Sequence, residues 1–294
     1  LDPATELGYD PSFAGAPAKL GFCPAYVQET IRDEGDLIVF RDTRGIVMRG
    51  RKDGCSMPEF LEYPVRTAAD WEGLKADRLR VGDPARLAGA DWAAFRRQLK
   101  ARGEAVQIGS FPFGIFGMPR DLIGVEELLM GFYEQPELIR DMIDHLTTLW
   151  ISVYEGVSRE VQIDHIHIWE DMSGRQGSLI SPAMVEEFMM PAYDRIAAFA
   201  RSHGVRVLSV DTDGDCSELV PVMMKHGVNM FFPFEVQAGN EVRDYRRKYP
   251  ELGIIGGLDK RALAAGWAEI DREVQRARDM VKEGRYVPAF DHLI

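Results

Sequence analysis

The chain has 294 residues, of which 46% are hydrophobic and 28% charged, and its formal net charge is −12. This composition is typical of a globular protein of one or two domains, and the negative charge argues against a nucleic-acid partner held by its phosphates. No apolar run reaches the roughly 18 residues of a membrane span. Three scattered cysteines without a CxxC pair predict a reducing, cytoplasmic location and no disulfide framework.

Residues 1–104 are predicted to form an irregular N-terminal segment that belongs to the barrel domain described below. Val27 to Asp33 is predicted as a short helix. Two apolar runs within Asp36 to Lys52 flank Asp42-Thr43-Arg44-Gly45, whose residue types favour a tight turn, so this stretch predicts a β-hairpin. Ala69 to Arg80 and Pro84 to Arg102 are predicted as surface helices.

From residue 105 onward, short apolar runs alternate with longer helical patterns. Strands are predicted at 105–110, 161–169, 205–210, 229–234, 252–255 and 285–289. Helices are predicted at 125–159 (broken near Gln135-Pro136), 181–203, 217–226, 240–249 and 261–283. This alternation predicts parallel βαβ units. The absence of a GxGxxG turn favours a closed barrel over an open doubly wound sheet. The predicted fold class is therefore α/β: a (β/α)8 TIM barrel with an N-terminal loop and hairpin extension, in which residues 105–294 form the barrel repeats that carry the site.

Polar residues follow several of the predicted strands, at the edge where barrel enzymes place their active sites. They are Ser110 and the loop to Arg120, Glu170 and Asp171, Asp211 and Asp213, Glu235, Asp259 and Lys260, and Asp291 and His292. Because strand ends converge on one face of a barrel, we expect these groups to meet there.

Asp211 and Asp213 stand two residues apart at a strand end, so their carboxylates point the same way. Such carboxylates repel each other unless a cation, a proton or a basic group lies between them. With His292 they predict a site for a divalent metal such as zinc, iron or manganese. The alternatives are a solvated turn and three side chains that never meet. His165 and His167 share one strand face, where packing is the more common role.

Glu170 and Asp171 end the same strand, and only one of two successive residues can point into the barrel. Either is a candidate for proton transfer or for supporting a metal ligand; the alternative is a cap for the loop that follows. Arg120 is a candidate for binding a substrate carboxylate or phosphate, with a surface salt bridge as the alternative. Phe113 belongs to an aromatic loop that forms either an apolar lid or part of the core.

A series of segments resembles the uroporphyrinogen decarboxylase superfamily, which also holds cobamide-dependent methyltransferases. The segments cover the chain from about residue 105 to its end, and in order they are GMPRDLIGVEELLMGFYEQPELI, WEDMSGRQGSLISPAMVEEFMMPAYDRI, VDTDGD, GGLDKRALAAG and YVPAFDH. The SP–F–P–Y pattern of residues 181–193 and the GGLDKRALA run are the more specific ones. The resemblance implies a TIM barrel with its site at the carboxyl ends of the strands, and commonly a homodimer.

The two branches of the superfamily differ at the site. Uroporphyrinogen decarboxylases carry an N-terminal PVWxMRQAGRY motif that binds the carboxylates of their substrate, and this chain lacks that motif. The methyltransferases bind zinc through an HxC pair and a later cysteine. Here Asp211 takes the His position, Asp213 takes the first Cys position, and His292 falls near the later cysteine. The resemblance therefore implies ligands of harder type, which suit an oxygen substrate better than a thiol.

The first functional hypothesis is metal-assisted methyl transfer. A metal at Asp211, Asp213 and His292 would act on the oxygen of a small methylated compound. The methyl group would pass to a corrinoid held by a partner protein, and Glu170 or Asp171 would move protons.

Two other hypotheses remain open. In one, the chain decarboxylates a carboxylic acid or a tetrapyrrole: Arg120 and Lys260 bind the carboxylate, Asp211 and His292 protonate the carbanion, and Phe113 and Glu235 line the substrate site. In the other, the barrel binds a tetrapyrrole or a corrinoid and catalyses no reaction.

Overall fold

The computed structural model describes Glu6, Gly8 and residues 13–292 of the chain. The strands, numbered in chain order, are β1 (Ala14–Gly15), β2 (Glu29–Glu34), β3 (Leu37–Arg41), β4 (Val47–Arg51), β5 (Glu59–Glu62), β6 (Val106–Ile108), β7 (His165–Trp169), β8 (Ser173–Gly174), β9 (Gly177–Ser178), β10 (Val207–Asp211), β11 (Met230–Phe232), β12 (Gly253–Leu258) and β13 (Tyr286–Phe290). The α-helices are Ala68–Asp77, Trp92–Arg102, Gly117–Ile123, Val125–Glu134, Pro136–Ser158, Pro182–Met184, Met190–Ser202, Leu219–Lys225, Val242–Lys248, Ala262–Ala265 and Trp267–Lys282. Among residues 13–292, no helix has both the length and the apolar character needed to cross a membrane.

Seven strands form one sheet in the order β1-β6-β7-β10-β11-β12-β13, and all neighbours run parallel. The spatial order repeats the chain order, whereas a doubly wound sheet reverses its order at a switch point. The predicted α/β class with parallel repeats is therefore confirmed, and the strand order is that of a barrel. Within residues 13–292 the sheet has no eighth strand and no pairing of β1 with β13, so a full (β/α)8 barrel is not seen.

The register of the central strands places their carboxyl ends side by side. Ser209 and Val210 of β10 are fully buried, as expected for a strand with a neighbour on each side in a covered parallel sheet. At the end of β10, Asp211 lies opposite Trp169 of β7 and Phe232 of β11. The residues that follow these three strands therefore start from the same edge of the sheet.

The described residues divide into two compact units. The parallel-sheet unit contains residues 13–15, 104–111 and 162–292, and it holds the seven-stranded sheet. The hairpin unit contains residues 16–103 and 112–161, and it holds β2–β5 with the helices between Ala68 and Ser158. Each unit thus draws on both sides of the predicted boundary between residues 104 and 105.

The hairpin unit is built around the antiparallel sheet β2-β3-β4-β5. The hairpin predicted from Asp36 to Lys52 is present as β3 and β4. Asp42 closes its turn, because Oδ1 of this residue accepts hydrogen bonds from the backbone N–H groups of Arg44 and Ile46 at 2.9 and 3.1 Å. Such side-chain bonds to nearby backbone are the reason that Asp favours turns.

The α-helix predicted from Pro84 to Arg102 begins only at Trp92, and two further segments of the hairpin unit differ from the prediction. The helix predicted at Val27 to Asp33 is wrong, because Glu29–Glu34 forms β2. So short a helix is marginal by itself, and pairing with β3 is reinforced by an ion pair between Arg41 and Glu29 at 2.5 Å. Strand β5 was not predicted because its four residues are all exposed, so the sequence lacks the apolar alternation that marks a strand.

Candidate active site at the strand ends

A cavity of about 590 Å³ lies at the carboxyl ends of the parallel strands, within the parallel-sheet unit. Its lining residues end or follow β7, β10, β11 and β13, and they are Trp169, Asp171, Asp211, Asp213, Phe232, Pro233, Ala289, Phe290 and His292. The volume falls in the range of small-molecule sites. The position is the one that barrel enzymes use for catalysis.

The lining combines acidic groups with an apolar wall. The carboxylates of Asp171, Asp211 and Asp213 share the cavity with one imidazole, that of His292, and none of the described lining residues is Lys or Arg. Aromatic rings and a proline make up most of the remainder. The carboxylates outnumber the imidazole, so the cavity favours cations and hydrogen-bond donors and repels molecules that carry many negative charges.

Asp213 and His292 form the first of two carboxylate–imidazole pairs at the cavity. Oδ2 of Asp213 lies 3.2 Å from Nε2 of His292, and each side chain is about one-third exposed. Burial raises the pKa of Asp213 above its usual value; His292 lowers it, whereas the charges on Asp171, Asp211 and Glu235 raise it further. Asp213 therefore retains a proton more readily than an ordinary aspartate, and its partner is a group that can exchange that proton with solvent.

The turn after β10 holds Asp213 in place. Gly214 has a positive φ of 72°, and a Cβ added there would lie 2.4 Å from the carbonyl oxygen of Gly174. The backbone N–H of Gly214 donates to Oε2 of Glu235 at 2.8 Å. Glu235, predicted to bind substrate, thus uses one oxygen to close this turn, and it influences the cavity through its charge on Asp213.

Asp211 and His167 form the second pair. Nε2 of His167 lies 3.3 Å from Oδ2 of Asp211, and Nδ1 of the same ring lies 2.7 Å from Oγ of Ser209. His167 occupies the middle of β7, directly opposite Ser209 in the register with β10. For this histidine, packing is the more common role expected from the sequence. The signal for a functional role was its position on the same strand face as a serine and an aspartate of the neighbouring strand, which only the register reveals.

The side chains of Glu170 and Asp171 have different environments in the structure. Glu170 is fully buried and accepts a hydrogen bond of 2.5 Å from the hydroxyl of Tyr193, and it is not among the residues that line the cavity. Asp171 lines the cavity with a positive φ of 43°. The backbone N–H groups of both residues donate to the carbonyl of Asp211, so the chain turns sharply at this point. Of the two candidates for proton transfer, Asp171 is the one with access to the cavity; a catalytic role for Glu170 stays a prediction.

Lys260 and Asp291 join the ends of β12 and β13. The backbone N–H of Lys260 donates to Oδ1 of Asp291 at 3.3 Å, and the N–H of Asp291 donates to the carbonyl of Leu258 at 3.0 Å. Asp291 is fully buried. Lys260 is not among the residues that line the cavity, so its contact with substrate remains a prediction.

Phe113 and Arg120 belong to the hairpin unit. Phe113 lines a cavity of about 260 Å³ in that unit, together with the ion pair of Arg44 and Asp121, whose Nη1 and Oδ2 atoms lie 2.5 Å apart. Burial raises the pKa of Asp121, against the opposing effect of Arg44. Arg120 lies in helix Gly117–Ile123. The predicted roles of Phe113 and Arg120 toward substrate stay predictions.

The residues predicted as metal ligands do not form a shared ligand set in this arrangement. Between residues 13 and 292, no group of three or more His, Cys, Asp or Glu side chains is placed so that it could hold a metal ion. Asp211 is turned to His167, while Asp213 and His292 are bonded to each other. Binding of zinc, iron or manganese by Asp211, Asp213 and His292 would require these pairs to open, and it remains a prediction.

Comparison with known families gives one match. The family model described as uroporphyrinogen decarboxylase (URO-D) matches residues 34–294, which is most of the chain. No curated protein matches the chain.

Proposed function

Because the chain belongs to the uroporphyrinogen decarboxylase family, we propose that it is an enzyme that removes carbon dioxide from a small carboxylic acid. The observation that carries this proposal is the pairing of two cavity carboxylates with imidazoles, Asp213 with His292 and Asp211 with His167. A carboxylate bonded to an imidazole is suited to donating or accepting a proton near neutral pH. Decarboxylation needs such a donor, because a proton must replace the group that leaves.

The proposed step is a substitution of carbon dioxide by a proton. The bond between the substrate carbon and its carboxylate breaks, and the electron pair stays on that carbon while carbon dioxide leaves. The proton shared by Asp213 and His292 then moves to the carbon. Solvent returns a proton to the pair through His292, whose side chain is 37% exposed.

The two pairs have different environments, which favours different roles for their acids. Asp213 has a raised pKa and serves as the proton donor with His292. Asp211 faces the ring of His167 and accepts a hydrogen bond from an N–H or O–H group of the substrate. Asp171, on the same cavity, supplies a further acceptor for a hydrogen-bond donor of the substrate.

The lining of the cavity limits the substrate. A molecule with many carboxylates would be repelled by Asp171, Asp211 and Asp213, so we propose a substrate with one or two carboxylates and at least one hydrogen-bond donor. The apolar wall, which includes Trp169 and Phe232, accommodates the reacting carboxylate in a poorly hydrated place. In this proposal Lys260 binds the carboxylate end of the substrate, as the sequence predicts.

Methyl transfer to a corrinoid on a partner protein is the second candidate. The observation that favours it is the acidic lining, because three carboxylates on one cavity attract a cation. A divalent metal, when bound, would supply a Lewis acid for the oxygen of a small methylated compound. The two candidates differ in whether a metal is needed and in what leaves the substrate.

One experiment distinguishes them. The purified protein is treated with a chelator, small mono- and dicarboxylic acids are supplied, and released carbon dioxide is measured. We expect at least one acid to be decarboxylated at a rate that the chelator does not change. Asp213→Asn and His292→Gln should lower that rate by roughly 100-fold, as is typical for the loss of an acid or base. His226→Gln, at a histidine that is not among the cavity-lining residues, is the matched control and should keep the rate.

In parallel, the protein is loaded with zinc and given methylated compounds together with cob(I)alamin, which is prepared by chemical reduction of hydroxocobalamin. Formation of methylcobalamin that depends on zinc, with no carbon dioxide released from any acid, would contradict the decarboxylase proposal and support the second candidate.

A further inference from the structure

Four polar side chains form a continuous line across β7 and β10. Nε2 of His165 lies 2.6 Å from Oγ of Ser209, which lies 2.7 Å from Nδ1 of His167; Nε2 of that ring lies 3.3 Å from Oδ2 of Asp211. On each of the two strands, the members of this line are two residues apart, so all four side chains project from the same face of the sheet. The line begins in the buried interior and ends at the cavity, since His165 and Ser209 are buried and Asp211 lines the cavity.

The chemistry of the serine hydroxyl restricts the direction of the hydrogen bonds. A hydroxyl has one hydrogen to donate, so Ser209, with an imidazole nitrogen on each side, donates to one ring and accepts from the other. A neutral imidazole likewise carries hydrogen on only one of its two nitrogens. The hydrogen bonds of the line therefore all run in one direction or all in the other, and the position of one hydrogen determines the positions of the rest.

One of the two directions places a hydrogen between His167 and Asp211. In this direction Nε2 of His167 carries that hydrogen and donates it to the carboxyl oxygen of Asp211, which accepts. Nδ1 of His167 then carries no hydrogen and accepts a hydrogen bond from the hydroxyl of Ser209. The oxygen of Ser209 in turn accepts from Nε2–H of His165, which leaves Nδ1 of His165 without a hydrogen.

The buried end of the line selects this direction. Nδ1 of His165 is buried and has no hydrogen-bond partner among the described residues. Buried N–H groups without an acceptor are rarer in proteins than acceptors without a donor, and the opposite direction would place an unpaired N–H here. The ring of Phe13 packs 4.5 Å from that of His165, and burial, with the nearby His167, lowers the pKa of His165 to about 3. His165 is therefore neutral and carries a single ring hydrogen.

We propose that Ser209 and His165 are positioning residues that fix His167 as the tautomer with hydrogen on Nε2, and that His167 in this form holds Asp211 as an oriented acceptor on the cavity. The contribution to catalysis rests on the proposed function, in which Asp211 accepts a hydrogen bond from substrate. The tautomer itself does not depend on what reaction occurs.

The test is NMR spectroscopy of the full chain labelled with ¹⁵N at its histidine rings, because ring nitrogens with and without hydrogen have distinct shifts and coupling patterns. Signals are assigned with His165→Gln and His167→Gln variants. In the unsubstituted protein near neutral pH we expect both His165 and His167 to carry hydrogen on Nε2 only. Hydrogen on Nδ1 of His167, or a doubly protonated His167, would overturn the proposal without any need for a variant.

Ser209→Ala then tests the coupling. We expect the His167 signals to shift toward a mixture of tautomers, because the donor to Nδ1 is lost, and Ser209→Thr to restore the Nε2–H pattern by restoring a hydroxyl. Ser202→Ala is the matched control: Oγ of Ser202 lies 3.0 Å from Nδ1 of His203 in the same unit, so this change should alter His203 and leave His165 and His167 as they were. An unchanged His167 spectrum in Ser209→Ala would contradict the proposal.

Activity provides a separate readout. We expect Ser209→Ala to lower kcat by roughly tenfold, as is typical when the partner that orients a site residue is lost. If the tautomers are as expected but no acid is decarboxylated, the proposed function is wrong and the tautomer assignment stands. If an acid is decarboxylated but His167 carries hydrogen on Nδ1, the tautomer assignment is wrong and the proposed function stands.

Discussion

Oδ2 of Asp213 lies 3.2 Å from Nε2 of His292 in the lining of the cavity. The two residues come from the ends of β10 and β13, far apart in sequence, and the contact joins a carboxyl group of raised pKa to an imidazole that reaches solvent. A proton held between such groups is available to a substrate and can be replaced from water. This contact is the centre of the proposed reaction.

The environment of Asp213 predicts opposite effects from two substitutions. His292→Gln should raise the pKa of Asp213, because it removes the group that lowers it. Glu235→Gln should lower the pKa of Asp213, because it removes a nearby negative charge, while Oε1 of the introduced amide can still accept from the backbone N–H of Gly214. The pKa is measured by NMR titration of ¹³C-labelled aspartate carboxyl groups. Shifts in the same direction in both variants would contradict the electrostatic account.

Tyr193→Phe should destabilise the protein without impairing the cavity. The hydroxyl of Tyr193 donates to the fully buried carboxyl group of Glu170, and the loss of a donor to a buried polar group costs about 1–3 kcal/mol. We expect the free energy of unfolding in urea to fall by that amount and kcat of the folded enzyme to stay within about twofold, which is a small change on the scale of catalytic substitutions. A large loss of kcat with normal stability would instead make Glu170 a catalytic residue.

Gly214→Ala should be more harmful than a matched change at Gly204. Both glycines have a positive φ, 72° and 67°, but a Cβ at Gly214 would lie 2.4 Å from the carbonyl oxygen of Gly174, whereas nothing lies within 4 Å of one at Gly204. Gly204→Ala should therefore lower the free energy of unfolding by about 1–2 kcal/mol through backbone strain alone. Gly214→Ala should lower it by about 1–3 kcal/mol more through overpacking and should reduce activity, because Asp213 is the preceding residue. Equal losses in the two variants would contradict this account of the turn.

A histidine away from the cavity predicts a pH dependence of stability. Nδ1 and Nε2 of His226 lie 2.8 Å from Asp194 and 3.1 Å from Glu186. Burial lowers the pKa of His226, but these two hydrogen bonds raise it overall. Because the pKa is higher in the folded than in the unfolded protein, the stabilisation is complete below the usual histidine pKa near 6.5 and is lost as pH rises through the folded value.

His226→Gln should therefore lower the urea midpoint most at acidic pH, by an amount that corresponds to roughly 1 kcal/mol or less for a partly exposed ion pair. The difference from the unsubstituted protein should shrink as pH increases above neutrality. A difference that grows with pH would show that the two acids do not hold His226 in its charged form.

The sequence predicted the parts of this account that depend on local patterns. Alternation of apolar strands and amphipathic helices is a strong signal, and it indicated both the parallel sheet and the edge at which polar residues gather. Asp211, Asp213 and His292 were singled out because they follow strands, and in the structure all three line one cavity. Parallel strands that end at the same edge of a sheet bring the residues that follow them together, whatever the structure of the chain between the strands.

Other parts of the site depend on information that the sequence does not display. The pairing of His167 with Ser209 and Asp211 requires the register of β7 against β10. The choice between Glu170 and Asp171 depends on the positive φ of Asp171, which a non-glycine residue rarely adopts. Asp211 does not join the pair of Asp213 and His292, because its carboxyl group lies against His167, a strand histidine for which packing is the more common role.

The most direct test of the central claim follows the proton. The protein is incubated in D₂O with an acid that it decarboxylates, and deuterium in the product is counted against released carbon dioxide. We predict one deuterium, on the carbon that carried the carboxylate, for each carbon dioxide. Asp213→Asn and His292→Gln should each slow both events by roughly 100-fold, while His226→Gln leaves them unchanged. Carbon dioxide release at the unsubstituted rate in both Asp213→Asn and His292→Gln would contradict the claim that this pair delivers the proton.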